Sequence, residues 1–286
     1  MAIEAEQKAS GSEAELTNLE ARHLPGALKL SQEMNWPYRL DDWALAAAAG
    51  HGLALERDGQ LIGTALWWPF GTRHASAGMI IVTGAEQGRG HGARLFDKLL
   101  EATQGRDVML CSTKEGLALY KRRGFVETGT VVQHQAPLEL AVEGDEGIRL
   151  AAACDIPTIQ EFDRQATGLD RASLVAALAG VGRVAILEHG GRVAGYSVAR
   201  RFGRGYVVGP VVAESIDDAK RLILEQFAQL HGQFVRIDVH GQHGLSDWLE
   251  SLGLPCTDRV TAMVKGQQPV PEGAARIYAL ASQSLG

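Results

Sequence analysis

The chain repeats itself with a period of about 130 residues, and that self-similarity narrows the folds open to it. Leu24-Pro25 and Ile156-Pro157 each open a helix, one such period apart, with proline in a first turn where its missing N–H costs nothing. Asp58-Gly59-Gln60-Leu61-Ile62-Gly63 reads as a hairpin turn feeding a strand. Gly190-Gly191-Arg192-Val193-Ala194-Gly195 reads the same way, its last glycine at the same offset from Gly63 as Pro157 has from Pro25. The apolar run from Met79 to Val82 has a counterpart from Tyr206 to Val212, and Gly124 has one in Gly253. Four landmarks in one order at nearly one spacing imply two similar α/β domains in tandem, which also suits a length of 286 residues.

Each half is expected to run strand, two helices, three strands, helix, strand, helix, then one or two strands. In the first half, residues 15–20 read as a strand and residues 25–35 as a helix with Ala27, Leu30 and Met34 on one face. Asp41 or Asp42 is expected to cap a second helix that Gly50 stops after Ala49. Residues 53–56 and 61–68 form a hairpin, 108–111 a strand, and 131–134 and 138–141 two closing strands. The polar, glycine-rich Glu143-Gly144-Asp145-Glu146-Gly147 marks a boundary. The expected division is a flexible N-terminus over 1–13, a first domain over 14–143 and a second over 144–286.

A formal charge of −6 with no long single-sign block argues against a nucleic-acid partner. The first residues lack a basic stretch followed by an apolar core, so no signal peptide is expected. No apolar run is long enough to span a bilayer as a helix, so no membrane span is expected either. Cys111, Cys154 and Cys256 are scattered and odd in number, which suits a reducing cytoplasm and no zinc site.

Chemistry enters at Gln87-Gly88-Arg89-Gly90-His91-Gly92, between the apolar run Met79 to Val82 and the amphipathic run Ala93 to Leu100. Strand, glycine turn and helix start place unshielded N–H donors and about half a positive charge at one point, a seat for phosphate oxygens. A P-loop would need Gly-Lys followed by Ser or Thr, and a dinucleotide fingerprint would need G-x-G-x-x-G; neither is present. The pattern is Q-x-x-G-x-G. Downstream, residues 117–125 read as a short helix that ends at Gly124, with Tyr120 standing four positions before Gly124-Phe125. The two motifs, in this order and with room between Gln87 and Tyr120 for a helix, a strand and a turn, resemble the GCN5-related N-acetyltransferases (GNAT). The layout of the whole chain resembles the tandem members with a degenerate C-terminal copy.

The resemblance implies two GNAT-like domains (α/β, or α+β in some schemes), each a mixed, mostly antiparallel twisted sheet flanked by helices. It also implies acetyl-CoA as cosubstrate and transfer of its acetyl group to a primary amine of a small molecule or peptide. The cofactor site it implies comprises main-chain groups of Ile80, Ile81 and Val82, the loop Gln87, Gly88, Arg89, Gly90, His91, Gly92 and Ala93, and Thr113, which stands where many relatives carry asparagine. Arg89 adds charge there or points to solvent, and Thr113 reads equally well as a helix cap. Tyr120 is implied as the partner of the leaving thiolate.

The second half lacks both motifs. In place of the glycines it has Glu214-Ser215-Ile216-Asp217-Asp218, where Ser215 and Asp218 have capping-box spacing and the acidic residues oppose a diphosphate; the position four before Gly253 is Leu249. One acetyl-CoA site, in the first half, is therefore expected. For the acceptor, Glu33, Trp36, Tyr38, His74 and Asp170 are candidates, with Trp67 and Trp68 as further aromatics that read equally as core. Glu33, His74, His134 and Asp170 all have the chemistry of a general base, and residue type alone does not single one out. The expected partner is an amine substrate, with no nucleic acid, metal or membrane, in a cytoplasmic monomer or homodimer. A non-catalytic acyl-CoA binder or sensor, and a structural protein with a vestigial site, fit the same residues, although Tyr120 speaks for chemistry.

Overall fold

The computed structural model describes residues 13–286, so the flexible stretch expected over 1–13 lies outside the described residues except for Glu13. The first half runs β1 (Glu15–Asn18), α1 (Leu24–Glu33), α2 (Leu40–Ala49), β2 (His51–Arg57), β3 (Gln60–Phe70), β4 (His74–Val82), α3 (His91–Ala102), β5 (Asp107–Ser112), α4 (Leu117–Lys121) and β6 (Val126–Pro137). The second repeats that order with β7 (Ile148–Leu150), α5 (Ile156–Thr167), α6 (Ala172–Val181), β8 (Gly182–His189), β9 (Arg192–Phe202), β10 (Gly205–Ala213), α7 (Ile216–Ala228), β11 (Phe234–His240), α8 (Ser246–Ser251) and β12 (Cys256–Lys265). It then adds β13 (Arg276–Ala279).

The landmarks of the repeat are devices used twice. Pro25 and Pro157 both stand in the first turn of their helices. A Cβ at Gly63 would lie 2.9 Å from Leu95 Cδ1 on α3, and one at Gly195 would lie 2.7 Å from Leu222 Cδ1 on α7. Both glycines therefore let a helix settle directly on the strand. Phe125 N–H donates to Tyr120 C=O (3.2 Å) as Leu254 N–H donates to Leu249 C=O (3.0 Å), so Gly124 and Gly253 close the same turn.

Two local expectations give way. Residues 131–134 and 138–141 are not separate strands; one strand, β6, runs through to Pro137. Asp42 is not outside α2 as its cap but in its first turn, reaching back to accept the Arg39 N–H at 2.8 Å.

Alternation along the strands makes one sheet serve two layers. On β3, Leu66, Trp68 and Phe70 join the core under α1 and α2, whereas Ala65 and Trp67 face the core under α3. The first of these cores continues into the second half beneath α5 and α6, with α2 packed on α6. The linker near residue 144 separates the halves in sequence; the sheet does not. The described residues form one thirteen-stranded sheet, ordered β1-β2-β3-β4-β5-β12-β6-β11-β13-β10-β9-β8-β7. Each half lends its sixth strand to the other, and exchanging counterparts reads the order backwards, with β13 as the single addition. A pseudo-two-fold passes between β6 and β12, which pair antiparallel from Cys256↔His134 to Val264↔Val126.

Each half also has one parallel pair that comes apart. β4 and β5 pair from His74↔Asp107 to Ala77↔Leu110 and then diverge. β10 and β11 pair only at Tyr206↔Val235 and Val207↔Arg236. There β13 enters the gap, pairing with β10 at Val211↔Ala279 and with β11 at Val239↔Ala279. No strand enters between β4 and β5, and a cleft results.

Candidate active site

The cleft has a volume of ≈ 1210 Å³, and β4 is one of its walls. Thr83 N–H donates to Ile62 C=O at 2.9 Å. By alternation, Ile81 turns its main-chain groups to β3, and those of Ile80 and Val82 face the gap. Gln87 Nε2 donates to Val82 C=O at 3.0 Å, which folds the following loop over the end of the strand. The loop then passes through Gly88 and Gly90 at φ = +76° and +84°, a region that strains other residues. A Cβ at either position would meet nothing within 4 Å, so these glycines serve the turn and leave the space above it open.

α3 begins at His91 with Gly90 before it and no side-chain cap. Among the described residues, the N–H groups of His91, Gly92 and Ala93 have no acceptor. Orphan donors and the positive end of the helix dipole make this a phosphate seat. Glu86 stands beside it, its charge offset by Arg57 (2.7 Å) and Arg89 (3.5 Å), with the His91 ring at 3.4 Å. Arg89 and Ala93 do not line the cleft: Arg89 points outward toward Glu86, and Ala93 offers only its main chain. At the equivalent place in the second half, Ser215 accepts the Asp218 N–H at 3.1 Å, so α7 caps itself as its spacing predicts.

α4 brings Tyr120 to the cleft. Its ring is wedged edge-on against Phe96 (centroids 4.8 Å apart) and tilted against Phe125 (6.1 Å). Its hydroxyl makes no hydrogen bond among the described residues. Burial pushes its pKa up to about 12, so the group at the cleft is a neutral O–H donor. Thr113 also lines the cleft, but its hydroxyl donates to the Glu115 carboxylate, and α4 takes Gly116 as its N-cap.

The end of α1 and the α1–α2 connection bring Glu33, Trp36 and Tyr38 to the cleft. Glu33 accepts the Thr83 hydroxyl (2.7 Å) and the Gly84 N–H (3.3 Å), bracing the start of the loop. Tyr38 packs edge-on against Phe202 of the second half at 5.1 Å. Two candidates are not brought here. His74 stands at the opposite end of β4 from Val82, about 26 Å along an extended strand, buried 3.9 Å from Asp107. Asp170 is exposed beside Gly71. His134 is fully buried with both ring nitrogens engaged, by Leu254 C=O and Ser246 Oγ at 2.9 Å each, so it anchors α8. Trp68 is core, its indole N–H donating to Ala46 C=O at 2.8 Å, and Trp67 packs on His51.

The remaining wall comes from residues that sequence reasoning missed. Gln133 and Gln135 on β6, Arg236 on β11, Asp258 on β12, and Gln283 and Ser284 all line the cleft. Strand exchange carries them there from positions outside the loop and the tyrosine motif, several of them in the other half of the chain, and no local pattern marks them. Asp238 holds Arg236 Nη2 at 2.9 Å. Ser76 Oγ donates to Ser284 C=O at 2.7 Å, which fixes residues 280–286 across the point where β4 and β5 part. Among the described residues no group of three His, Cys, Asp or Glu is placed to hold a metal ion, and no helix is long and apolar enough to cross a membrane.

Comparisons with known proteins bear on the family and the fold. Residues 15–125 match the family model described as the acetyltransferase (GNAT) family, and residues 159–279 match that described as the acetyltransferase (GNAT) domain. The chain is 28% identical over 282 residues to the uncharacterized N-acetyltransferase YitH of Bacillus subtilis (strain 168), covering 95% of this chain and 98% of that one. It is 30% identical over 220 residues to a holothin acyltransferase of Pseudoalteromonas sp. (strain SANK 73390), covering 74% of each. A crystal structure from Pyrococcus horikoshii, solved as that of a candidate acetyltransferase, superposes with a TM-score of 0.81 at 19% identity over 99% of both chains, a likeness of fold.

Proposed function

We propose, starting from the fact that this chain belongs to the GNAT acetyltransferase family and carries two such domains in tandem, that its first half moves an acetyl group from acetyl-CoA to a primary amine of a small molecule or peptide. One observation carries the assignment to the first half. The N-terminus of α3 is uncapped and opens onto diverging strands, while its counterpart α7 is capped by Ser215 and the gap beside it is filled by β13.

The residues present suit coenzyme A. The bare N–H groups from Gly88 to Ala93 bind a diphosphate, and the open space above Gly88 and Gly90 leaves it room. The main-chain groups of Ile80 and Val82 pair with the amide-bearing arm as a neighbouring strand would. When bound, the thioester supplies an acyl carbon activated for attack. A β4 N–H aimed at its carbonyl oxygen offsets charge that builds there, and it does so without reorganisation. Tyr120 donates its hydroxyl hydrogen to the sulfur as the C–S bond breaks. With its pKa at about 12, against about 8.5 for a thiol, complete proton transfer is uphill by about 5 kcal/mol. Tyr120 therefore acts as a hydrogen-bond donor that stabilises the leaving thiolate. Tyr38, Gln133 and Gln135 orient the incoming amine, and Glu33 is already engaged by the start of the loop.

Free-thiol release from acetyl-CoA across a broad amine panel tests the proposal. Amine-dependent release supports it. Coenzyme A binding without release for any amine would leave a binder and not an enzyme.

A further inference from the structure

A second cavity, of ≈ 350 Å³, lies behind β5. Met109 and Cys111 line it; they alternate with Val108 and Leu110 and so face away from α3. Ala262 on β12 and Leu280 add apolar wall, and Leu110, Cys111 and Gln283 are shared with the acyl cleft. The size is that of a small-molecule site.

The polar groups around it are unusual. His240 and His243 face the cavity with their rings 5.6 Å apart, and neither makes a hydrogen bond among the described residues. Burial, with His243 and Arg171 adding positive repulsion, pushes His240 down to about 4; burial and then Arg276 lower His243. Both rings are thus neutral near pH 7, and each offers an unused N–H. Arg171 is satisfied by Asp163 at 2.7 and 3.0 Å. Arg276 is not: its Nη1 donates to the Gly273 and Ala275 carbonyls, and no carboxylate pairs with it among the described residues. An apolar chamber whose lining has imidazole donors and the Arg276 guanidinium but no Asp or Glu side chain suits an acid better than a cation.

We propose that this cavity is a second ligand site, one that takes a small apolar carboxylate. Its ring or chain rests against Met109, Ala262 and Leu280, and its carboxylate accepts from Arg276 and the two imidazoles. The site does not rest on the loop or on Tyr120, although it shares the wall formed by Leu110, Cys111 and Gln283 with the acyl cleft.

The test uses the full chain without coenzyme A and three probes: benzoate, indole-3-carboxylate and uncharged indole. At ten times Kd, either acid is expected to raise Tm by about 2–4 °C. Ala262→Phe, which fills the chamber, should abolish the shift. Arg276→Gln, at a part-exposed position, should weaken the acids about tenfold and leave indole unchanged. The proposal is overturned if neither acid binds, if indole binds the wild-type chain as tightly as the acids, or if a folded Arg276→Gln protein binds the acids unchanged.

Discussion

Replacing Tyr120 by Phe removes one oxygen and nothing else. The ring keeps its contacts with Phe96 and Phe125, and the hydroxyl has no protein partner among the described residues to abandon. Stability should therefore stay within about 0.5 kcal/mol of wild type. Turnover should not. A hydrogen bond to a charged group contributes about 1.5–3 kcal/mol, and lost only as the thiolate forms it lowers kcat by roughly 10- to 150-fold. On the proposed function coenzyme A affinity would rest on main-chain donors of the loop and should change less than about threefold. Because the hydroxyl ionises only at about pH 12, Phe at this position should lower the whole pH–rate profile without shifting either limb. Steady-state thiol release over pH 6–9, with calorimetry for coenzyme A, separates these effects. A kcat within twofold of wild type when chemistry is rate-limiting, or a loss confined to KM, would refute the role given to Tyr120.

Three further outcomes are expected. Gly92→Asp places a carboxylate in the first turn of α3, where the position has room; it should stabilise the fold by about 0.3–1 kcal/mol while abolishing coenzyme A binding, and a loss of both would contradict the phosphate seat. Asp163→Ala strands the Arg171 guanidinium and the Tyr196 hydroxyl, which it accepts at 2.5 Å, in a fully buried site; chemical denaturation should report a loss of about 3–5 kcal/mol, and a loss below about 1 kcal/mol would show the pair to be expendable. His240, held at about 4 against about 6.5 when unfolded, binds fewer protons folded than unfolded, so its contribution is whole above pH 6.5 and fades as pH falls toward 4. His240→Phe should therefore flatten that part of the stability curve by up to about 3 kcal/mol, and an unchanged slope between pH 6.5 and 4 would contradict it.

The geometry of the loop and of the Tyr120 turn was legible because its signals are local. Gln87 to Gly92 is one turn, Tyr120 is fixed by its distance from Gly124, and the Ser215–Asp218 cap is a spacing of three. The opposite wall of the cleft was not. Residues on β6 and β12 alternate in the same way whichever strands flank them, so the exchange that brings Gln133, Arg236 and Asp258 together leaves no mark in either strand's own pattern. The same blindness hid β13, a short strand whose role depends on a gap opened elsewhere. His74 was misplaced because the strand reading began at Met79. Ala75, Ser76 and Ala77 are weak strand formers that burial under both layers holds extended, and those added residues carry His74 to the other end of β4.

A crystal structure of the chain grown with coenzyme A tests the central claim most directly. The account predicts one molecule per chain, its diphosphate on the main-chain N–H groups of residues 88–93, its arm between β4 and β5, and its sulfur within hydrogen-bonding reach of the Tyr120 hydroxyl. Density in the second half beside α7, or an empty loop at a saturating concentration, would contradict it.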